Sequence, residues 1–424
     1  MQDSLHLLKS RRFLPLFVTQ FLGAFNDSLF KQAVVLFVTY QLYSDAAREG
    51  QFSAIAQALF ILPFFLLSAM AGQLADIRDK AKLIRIIKTV EIGIMIVGGA
   101  GLMLASVPLM LAAVFAMGIH STFFGPIKYA ILPQHLSRNE VLGGTGLVEA
   151  GTYLAILGGT IVAGVFANRP AVTTIIVIVA AGLGLLAGRQ VPPAAPSADC
   201  ARPDWHIVRS SIRLVSATMH IPRLFLAICA ISFFWTIGAV LIIIFPPLVK
   251  NVLGANEQVA SLFIAIFSIG IAFGSVLINR LLKSEVSARF APASVLLMGG
   301  FVLMLHFVSM HWAKARGDNL ITLGNFLAQP GAVLMVAALL GISVTGGMFV
   351  VPLYAFLTTT VAKSETARTV AANNIVNSGS MVIGALIAFA LSMAGVGPAG
   401  QLVLVAAMCL ISAWLGWLLH KACD

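Results

Sequence analysis

GQLADIRDKAK, residues 72–82, is a short charged knot between two apolar runs, 52–75 and 82–104. Each run reaches about 20 residues, the length that crosses a bilayer as a helix. Asp76, Arg78, Asp79, Lys80 and Lys82 crowd into the gap. Two spanning helices joined by a tight turn rich in Lys and Arg form a hairpin whose turn faces the cytoplasm.

The pattern continues in both directions. Apolar runs at about 13–42, 52–75, 82–104, 107–131, 141–167, 171–188, 223–250, 258–282, 289–310, 331–361, 367–395 and 399–420 predict twelve spanning helices. Only 10% of the residues are charged and mean hydropathy is +0.97, against roughly 25% charge in soluble domains. The chain reads as an all-α polytopic membrane protein. The runs are about twice as long as the roughly 10-residue strands of an outer-membrane barrel, which excludes that class.

Between the sixth and seventh spans lies a polar connector, residues 189–222, which opens with the proline-rich RQVPPAAPSADCARPDW. It continues as HIVRSSIRLVSATMHIP, an amphipathic run with Arg209 and Arg213 on one side, as in a helix lying on a membrane surface. The connector divides the chain into two six-helix halves, 1–188 and 223–424.

With the N-terminus inside, 21 of the 27 Lys and Arg residues face the cytoplasm, Lys88 among them, and 5 face the opposite side. That bias places both termini in the cytoplasm. The net charge of +11 is therefore a topology signal and not a nucleic-acid footprint. The spacing of Cys200, Cys229, Cys409 and Cys423 suggests neither metal nor disulfide, and no cofactor is implied. The basic N-terminal flank has no small-residue cleavage site and reads as leading into a retained first span.

The halves resemble each other. GPIKYAIL (125–132) can be laid on VPLYAFL (351–357), and VLGGTGLVEAGTY (141–153) on TVAANNIVNSGSM (369–381). Repeats of this kind suggest a transporter with its site between the halves. Charge is concentrated in the first half, so one wall of the site is expected to be ionic and the other apolar and amide-rich.

Polar groups inside the spans are the candidate site residues, because a charge at bilayer depth costs several kcal/mol. FLGAFNDSLFKQ (21–32) puts Asp27 and Lys31 one helical turn apart with Asn26 beside them. At about 1.5 Å per residue Asp27 lies roughly 20 Å into its span. The pair is either a self-satisfied ion pair or a head-group or proton site. Lys128 lies near the cytoplasmic end of the fourth span, either as a snorkelling lysine or as the partner of the deeper Glu149. His120 is either a hydrogen-bonded helix histidine or, with Asp27, a candidate proton site. Glu91 follows Lys88 by one turn and reads as its structural partner. In the second half Trp235, Asn374 and Asn377 are candidate substrate contacts, with packing or interhelical bonding as the competing reading.

GQLADIRDKAK resembles the signature loop G-x-L-A-D-R-x-G-R-R/K of the major facilitator superfamily. Gly72, Leu74, Ala75, Asp76 and Lys80 match, while Ile77 and Asp79 depart from it. The resemblance implies a gating role for Gly72, Asp76, Arg78 and Lys80, with Gly72 allowing close helix contact. Together with RRFLPLFVTQFLGAFNDSLFKQ, FFGPIKYAILPQ and NEVLGGTGLVEAGTYLAILGG, it is similar to the bacterial lysophospholipid transporters of that superfamily. The likeness is closest to the transporter part of two-part proteins joined to a phospholipid acyltransferase, and weaker in the second half.

This resemblance implies a monomeric flippase in the bacterial inner membrane. It would move lysophosphatidylethanolamine and lysophosphatidylglycerol to the cytoplasmic leaflet, where an acyl-acyl-carrier-protein synthetase/acyltransferase restores the missing chain. Asp27, Lys128 and Glu149 carry over as site residues. No G-x-x-x-x-G-K-[ST] loop is present, so ATP hydrolysis is not expected to drive it. The alternatives are a proton-coupled transporter of a soluble small molecule on the same fold and a non-transporting scaffold. A membrane-embedded acyltransferase is disfavoured, because no H-x-x-x-x-D occurs.

Overall fold

The structure is a computed structural model that describes residues 2–196, 206–282, 287–312, 320–359 and 366–423. Twelve long helices account for most of them. These are α1 (Leu14–Phe37), α2 (Ala46–Ile77), α3 (Lys80–Met103), α4 (Val107–Ala130), α5 (Arg138–Phe166) and α6 (Pro170–Arg189). After the connector come α7 (Pro222–Pro247), α8 (Glu257–Leu281), α9 (Ala291–Met310), α10 (Ala332–Thr359), α11 (Thr366–Met393) and α12 (Pro398–Cys423). Eleven of them are long and apolar enough to cross a membrane; in α5 the apolar part is the shorter Ala150–Phe166. The all-helical multi-pass architecture follows, with a span count within one of the expected twelve.

The chain forms two compact units, Met1–Phe37 with Leu62–Ser210, and Val38–Ile61 with Ser211–Asp424. In the first unit α1 packs on α5 and α6, and α3 packs on α4 and α6. Gly159 of α5 meets the α1 backbone, and a Cβ there would fall 2.9 Å from the Leu29 nitrogen. Small residues at such crossings let membrane helices approach closely. An apolar cluster of Phe13, Leu16, Ala81, Ile84, Ile127, Leu132 and Val148 closes one end of this unit.

The charged knot is a capped helix start. Asp79, one of the two departures from the superfamily loop, accepts a hydrogen bond from the Lys82 backbone N–H (3.0 Å) and is the N-cap of α3. Lys80 is fully buried. Its backbone N–H donates to the Ala194 carbonyl (3.0 Å) and its Nζ to that of Ala195 (3.3 Å), pinning the loop to the segment after α6. Arg78 is exposed. The close contact expected at Gly72 is not found: a Cβ there would meet no described atom within 4 Å. The side chain of Asp76 lies outside the described residues.

The start of α5 carries a capping box in which the Ser137 backbone N–H and hydroxyl both donate to Glu140 (2.9 and 2.7 Å). Arg12 adds a 2.6 Å bridge. The Ser137 bonds, assisted by His6 and Arg12, hold the Glu140 carboxyl down to about 2. The connector helix, Ile207–Met219, is amphipathic as expected. Arg209 and Arg213 are exposed, and Ser210 accepts from Gln73 of α2 (2.8 Å).

In the second unit a widened π-helical turn, Leu248–Val252, continues α7, and another, Val38–Leu42, continues α1. Lys250 projects from the first of these. Its Nζ donates to the carbonyls of Thr39 and Tyr43 (the latter at 2.6 Å) and to Glu49 (2.6 Å), while Asn251 donates to the other Glu49 oxygen. Glu49 is completely buried. This explains why α2 begins at Ala46, well before the apolar run at residue 52. Asp45 accepts from the Ala47 and Arg48 backbone N–H groups (3.4 and 3.2 Å), and the one carboxylate inside the turn is neutralised.

Two stability outcomes follow. Lys250→Met leaves a buried carboxylate unpaired, a loss of about 3–5 kcal/mol; Glu49→Leu/Lys250→Met together recovers most of it in thermal unfolding of the detergent-solubilised protein. The Glu140 contribution is complete above the ordinary carboxyl value and disappears as pH falls from there through about 2. The melting temperature of the wild type therefore drops further between pH 6 and pH 3 than that of Glu140→Gln.

Candidate functional site

Each unit holds a cluster of polar side chains on its long helices. In the first unit the cluster is ionic. α1 contributes Asn26 and Asp27, α3 contributes Lys88 and Glu91 at i and i+3, and α4 contributes His120 and Ser121. Lys88 and Glu91 are fully buried and 2.6 Å apart. Glu91 also accepts from Asn26 Nδ2 (3.0 Å), and its Oε2 lies 3.0 Å from His120 Nε2. The Phe124 ring stacks on His120, and Lys88 Nζ lies 5.4 Å from its centre. Gly23 makes room for the ammonium, since a Cβ there would fall 2.7 Å from Lys88 Nζ.

Lys88 therefore is not the cytoplasmic anchor that the charge count made it. It sits two turns inside α3, where only a carboxylate within hydrogen-bond reach makes a charge tolerable. The Lys88–Glu91 pair read from the sequence is present, but it recruits His120 and Asn26 as well.

Asp27 occupies the edge of this cluster. It is half-buried; its Oδ2 accepts a hydrogen bond from Ser121, and its Oδ1 has no hydrogen-bond partner among the described residues. Lys31, also half-buried, follows one turn along the same helix. Lys128 is half-buried, with its Nζ 4.8 Å from the centre of the Tyr129 ring. The side chain of Glu149 on α5 lies outside the described residues, and so does the expected Lys128–Glu149 pair.

In the second unit the cluster is neutral and centred on Tyr354 of α10. Its hydroxyl oxygen accepts from Trp235 Nε1 (2.8 Å) of α7 and from Asn377 (3.3 Å) and Asn373 (3.5 Å) of α11. Ser232 donates to the Asn377 carbonyl oxygen (2.7 Å). Asn374 is exposed and stays out of the cluster. The spacings 374–377 and 373–377 both put two residues on one helix face, and the structure selects the second. Tyr354, Asn373 and Ser232 are the members that sequence reasoning left off the site. The alignment of Tyr354 with Tyr129 in the repeat was the available signal.

One unit thus offers buried charge with an unsatisfied carboxylate oxygen at its edge. The other offers amide, indole and phenol groups without charge.

Residues 16–385 match the sequence profile of the Major Facilitator Superfamily. The chain belongs to the major facilitator superfamily. It is a multi-pass membrane protein and a transporter. It is 26% identical over 381 residues to the Lysophospholipid transporter LplT of Salmonella newport (strain SL254), covering 88% of this chain and 86% of that one. Among solved structures, the nucleoside transporter NupG superposes with a TM-score of 0.70 at 13% identity, over 97% of this chain and 100% of the other. An inward-facing, unoccupied bacterial homolog of the human lysosomal transporter Spinster superposes with a TM-score of 0.69 at 14% identity, over 97% and 98%. These likenesses show the major facilitator fold.

Within that fold the first-unit cluster sets a stability outcome. Glu91→Gln removes the charge that neutralises Lys88 and lowers stability by about 3–5 kcal/mol. Lys88→Met/Glu91→Leu, which removes both charges, loses far less. Thermal unfolding of the purified variants in detergent reads the difference.

Proposed function

We propose that this transporter is a lysophospholipid flippase, moving lysophosphatidylethanolamine and lysophosphatidylglycerol from the outer to the cytoplasmic leaflet of the bacterial inner membrane. The observation that carries the reading is the similarity to a named lysophospholipid transporter along nearly the whole of both chains. The residues suit the substrate. Lys128 pairs with the phosphate as a point charge. Asp27, with one carboxylate oxygen unpartnered, takes the ammonium of an ethanolamine head group, and Glu149 assists. Asn26 and Lys31 tune Asp27. Trp235, Asn377 and Asn374 in the second unit meet the uncharged parts of the lipid. Gly72, Asp76, Arg78 and Lys80 act in gating.

Alternating access delivers the lipid to the cytoplasmic leaflet, where a cytoplasmic acyl-acyl-carrier-protein synthetase/acyltransferase re-acylates it. Both termini face that side, in keeping with the Lys/Arg bias. The protein acts as a monomer. A second reading, proton-coupled transport of a soluble small molecule, draws on the contact between Ser121 and both Asp27 and His120.

Proteoliposomes loaded with spin-labelled lysophosphatidylethanolamine separate the two. The flippase reading expects faster inward movement than in protein-free vesicles. In folded Asp27→Ala and Lys128→Ala it expects a drop of about tenfold, equivalent to about 1.4 kcal/mol of lost binding. No acceleration by the wild type sinks the flippase; full rates in both variants sink the site and favour a scaffold role for these residues.

A further inference from the structure

The Tyr354 cluster, which lies wholly in the second unit, leaves one amide short of partners. The Tyr354 oxygen accepts from Trp235 Nε1 at 2.8 Å, from Asn377 Nδ2 at 3.3 Å and from Asn373 Nδ2 at 3.5 Å. A hydroxyl oxygen has two lone pairs, so three N–H groups compete for them, and the Asn373 bond is the longest. Trp235 uses its one N–H here. Asn377 uses both ends of its amide, because its carbonyl oxygen accepts from Ser232 at 2.7 Å. Asn373 does not. It is fully buried, and its Oδ1 has no hydrogen-bond partner among the described residues. A buried amide oxygen in that state calls for a donor.

We propose that Asn373 recognises the free glycerol hydroxyl of the transported lysolipid and so distinguishes a one-chain lipid from a two-chain one. This rests on the flippase reading for the ligand and on the cluster geometry for the residue. The hydroxyl of a lysolipid donates its hydrogen to Asn373 Oδ1. At the same carbon a two-chain phospholipid carries an ester, which accepts hydrogen bonds and gives none. Binding the ester would keep the amide oxygen away from water without supplying a bond. A site built to bond a hydroxyl rejects the analogue that lacks it for this reason.

The surroundings suit the glycerol region of such a lipid. Tyr354 and Trp235 are half-buried and form the accessible face of the cluster. The indole lies edge-on to Phe234, with ring centres 5.7 Å apart, and Phe234 lies 6.3 Å from Phe349. Polar and apolar surface therefore meet at Trp235, as hydroxyl and acyl chain meet in the lipid. The cluster offers a phosphate or an ammonium no opposite charge, which leaves the hydroxyl as the lipid group it matches. Asn373 is the enclosed member. Its bond to Tyr354, the longest of the three, is the one that yields to an incoming hydroxyl, while Trp235 and Asn377 keep hold of the phenol.

A pair of lipids with the same acyl chain and the same phosphoethanolamine head tests the assignment. One is lysophosphatidylethanolamine, whose single hydroxyl is that of the glycerol; the other is its deoxy analogue, with hydrogen in place of that hydroxyl. Neither has a second chain, so only the hydroxyl differs. Initial flipping rates are compared in proteoliposomes at a low mole fraction of each lipid. The wild type is expected to move the hydroxyl lipid about tenfold faster, and in Asn373→Leu and Asn373→Ala that ratio falls to about one, whatever the absolute rates. Equal rates for both lipids in the wild type overturn the assignment, require no variant to fold, and leave the flippase standing. A wild-type ratio that persists in the folded variants also overturns it, because the hydroxyl is then read elsewhere. Acceleration of neither lipid over protein-free vesicles removes the flippase reading and this ligand with it.

Discussion

A charge inside a membrane must be answered by another group within about 3 Å, and the first unit is built on that demand. Lys88 cannot snorkel from its depth in α3, because it is enclosed on every side. Its partner Glu91 then has to be held, and Asn26 of α1 and His120 of α4 hold it. Three helices are thereby fixed in rotation about their own axes. The glycine at position 23 follows from the same demand, since any side chain there would occupy the ammonium's space.

The second unit answers the same constraint differently. It keeps charge out of the Tyr354 cluster, where a phenol oxygen gathers three N–H donors. Its buried ion pair stands elsewhere, at the helix ends, where Lys250 also satisfies two backbone carbonyls that have run out of helical partners.

The sequence displayed the fold openly, because twelve apolar runs and an asymmetric Lys/Arg distribution are one-dimensional signals of a bilayer. Asp27 was legible for the same reason, as a carboxylate in an apolar run. Lys88 was not: it lies close enough to a charged loop to be counted with it, and only the packing of α1, α4 and α6 around α3 shows that it points inward. Asn373 was hidden by a helical ambiguity, with two spacings compatible with one face. Asp79 looked like decay of a signature loop, yet its carboxylate does a helix cap's work where the family pattern has glycine.

The paired π-turns carry a different consequence. Val38–Leu42 and Leu248–Val252 continue the first helix of each half, so the widened turn belongs to the six-helix repeat and not to one copy of it. Set side by side, VTYQL and LVKNV place Tyr40 opposite Lys250 in the repeat register. Those two side chains meet in space, with Lys250 Nζ 5.9 Å from the centre of the Tyr40 ring. The contact lies within the second unit, between residues that take the same place in the two widened turns. Were the halves identical, this spot would oppose lysine to lysine or tyrosine to tyrosine. The fused chain is free to carry a cation in one turn and an aromatic face in the other, a contact that two identical turns could not make.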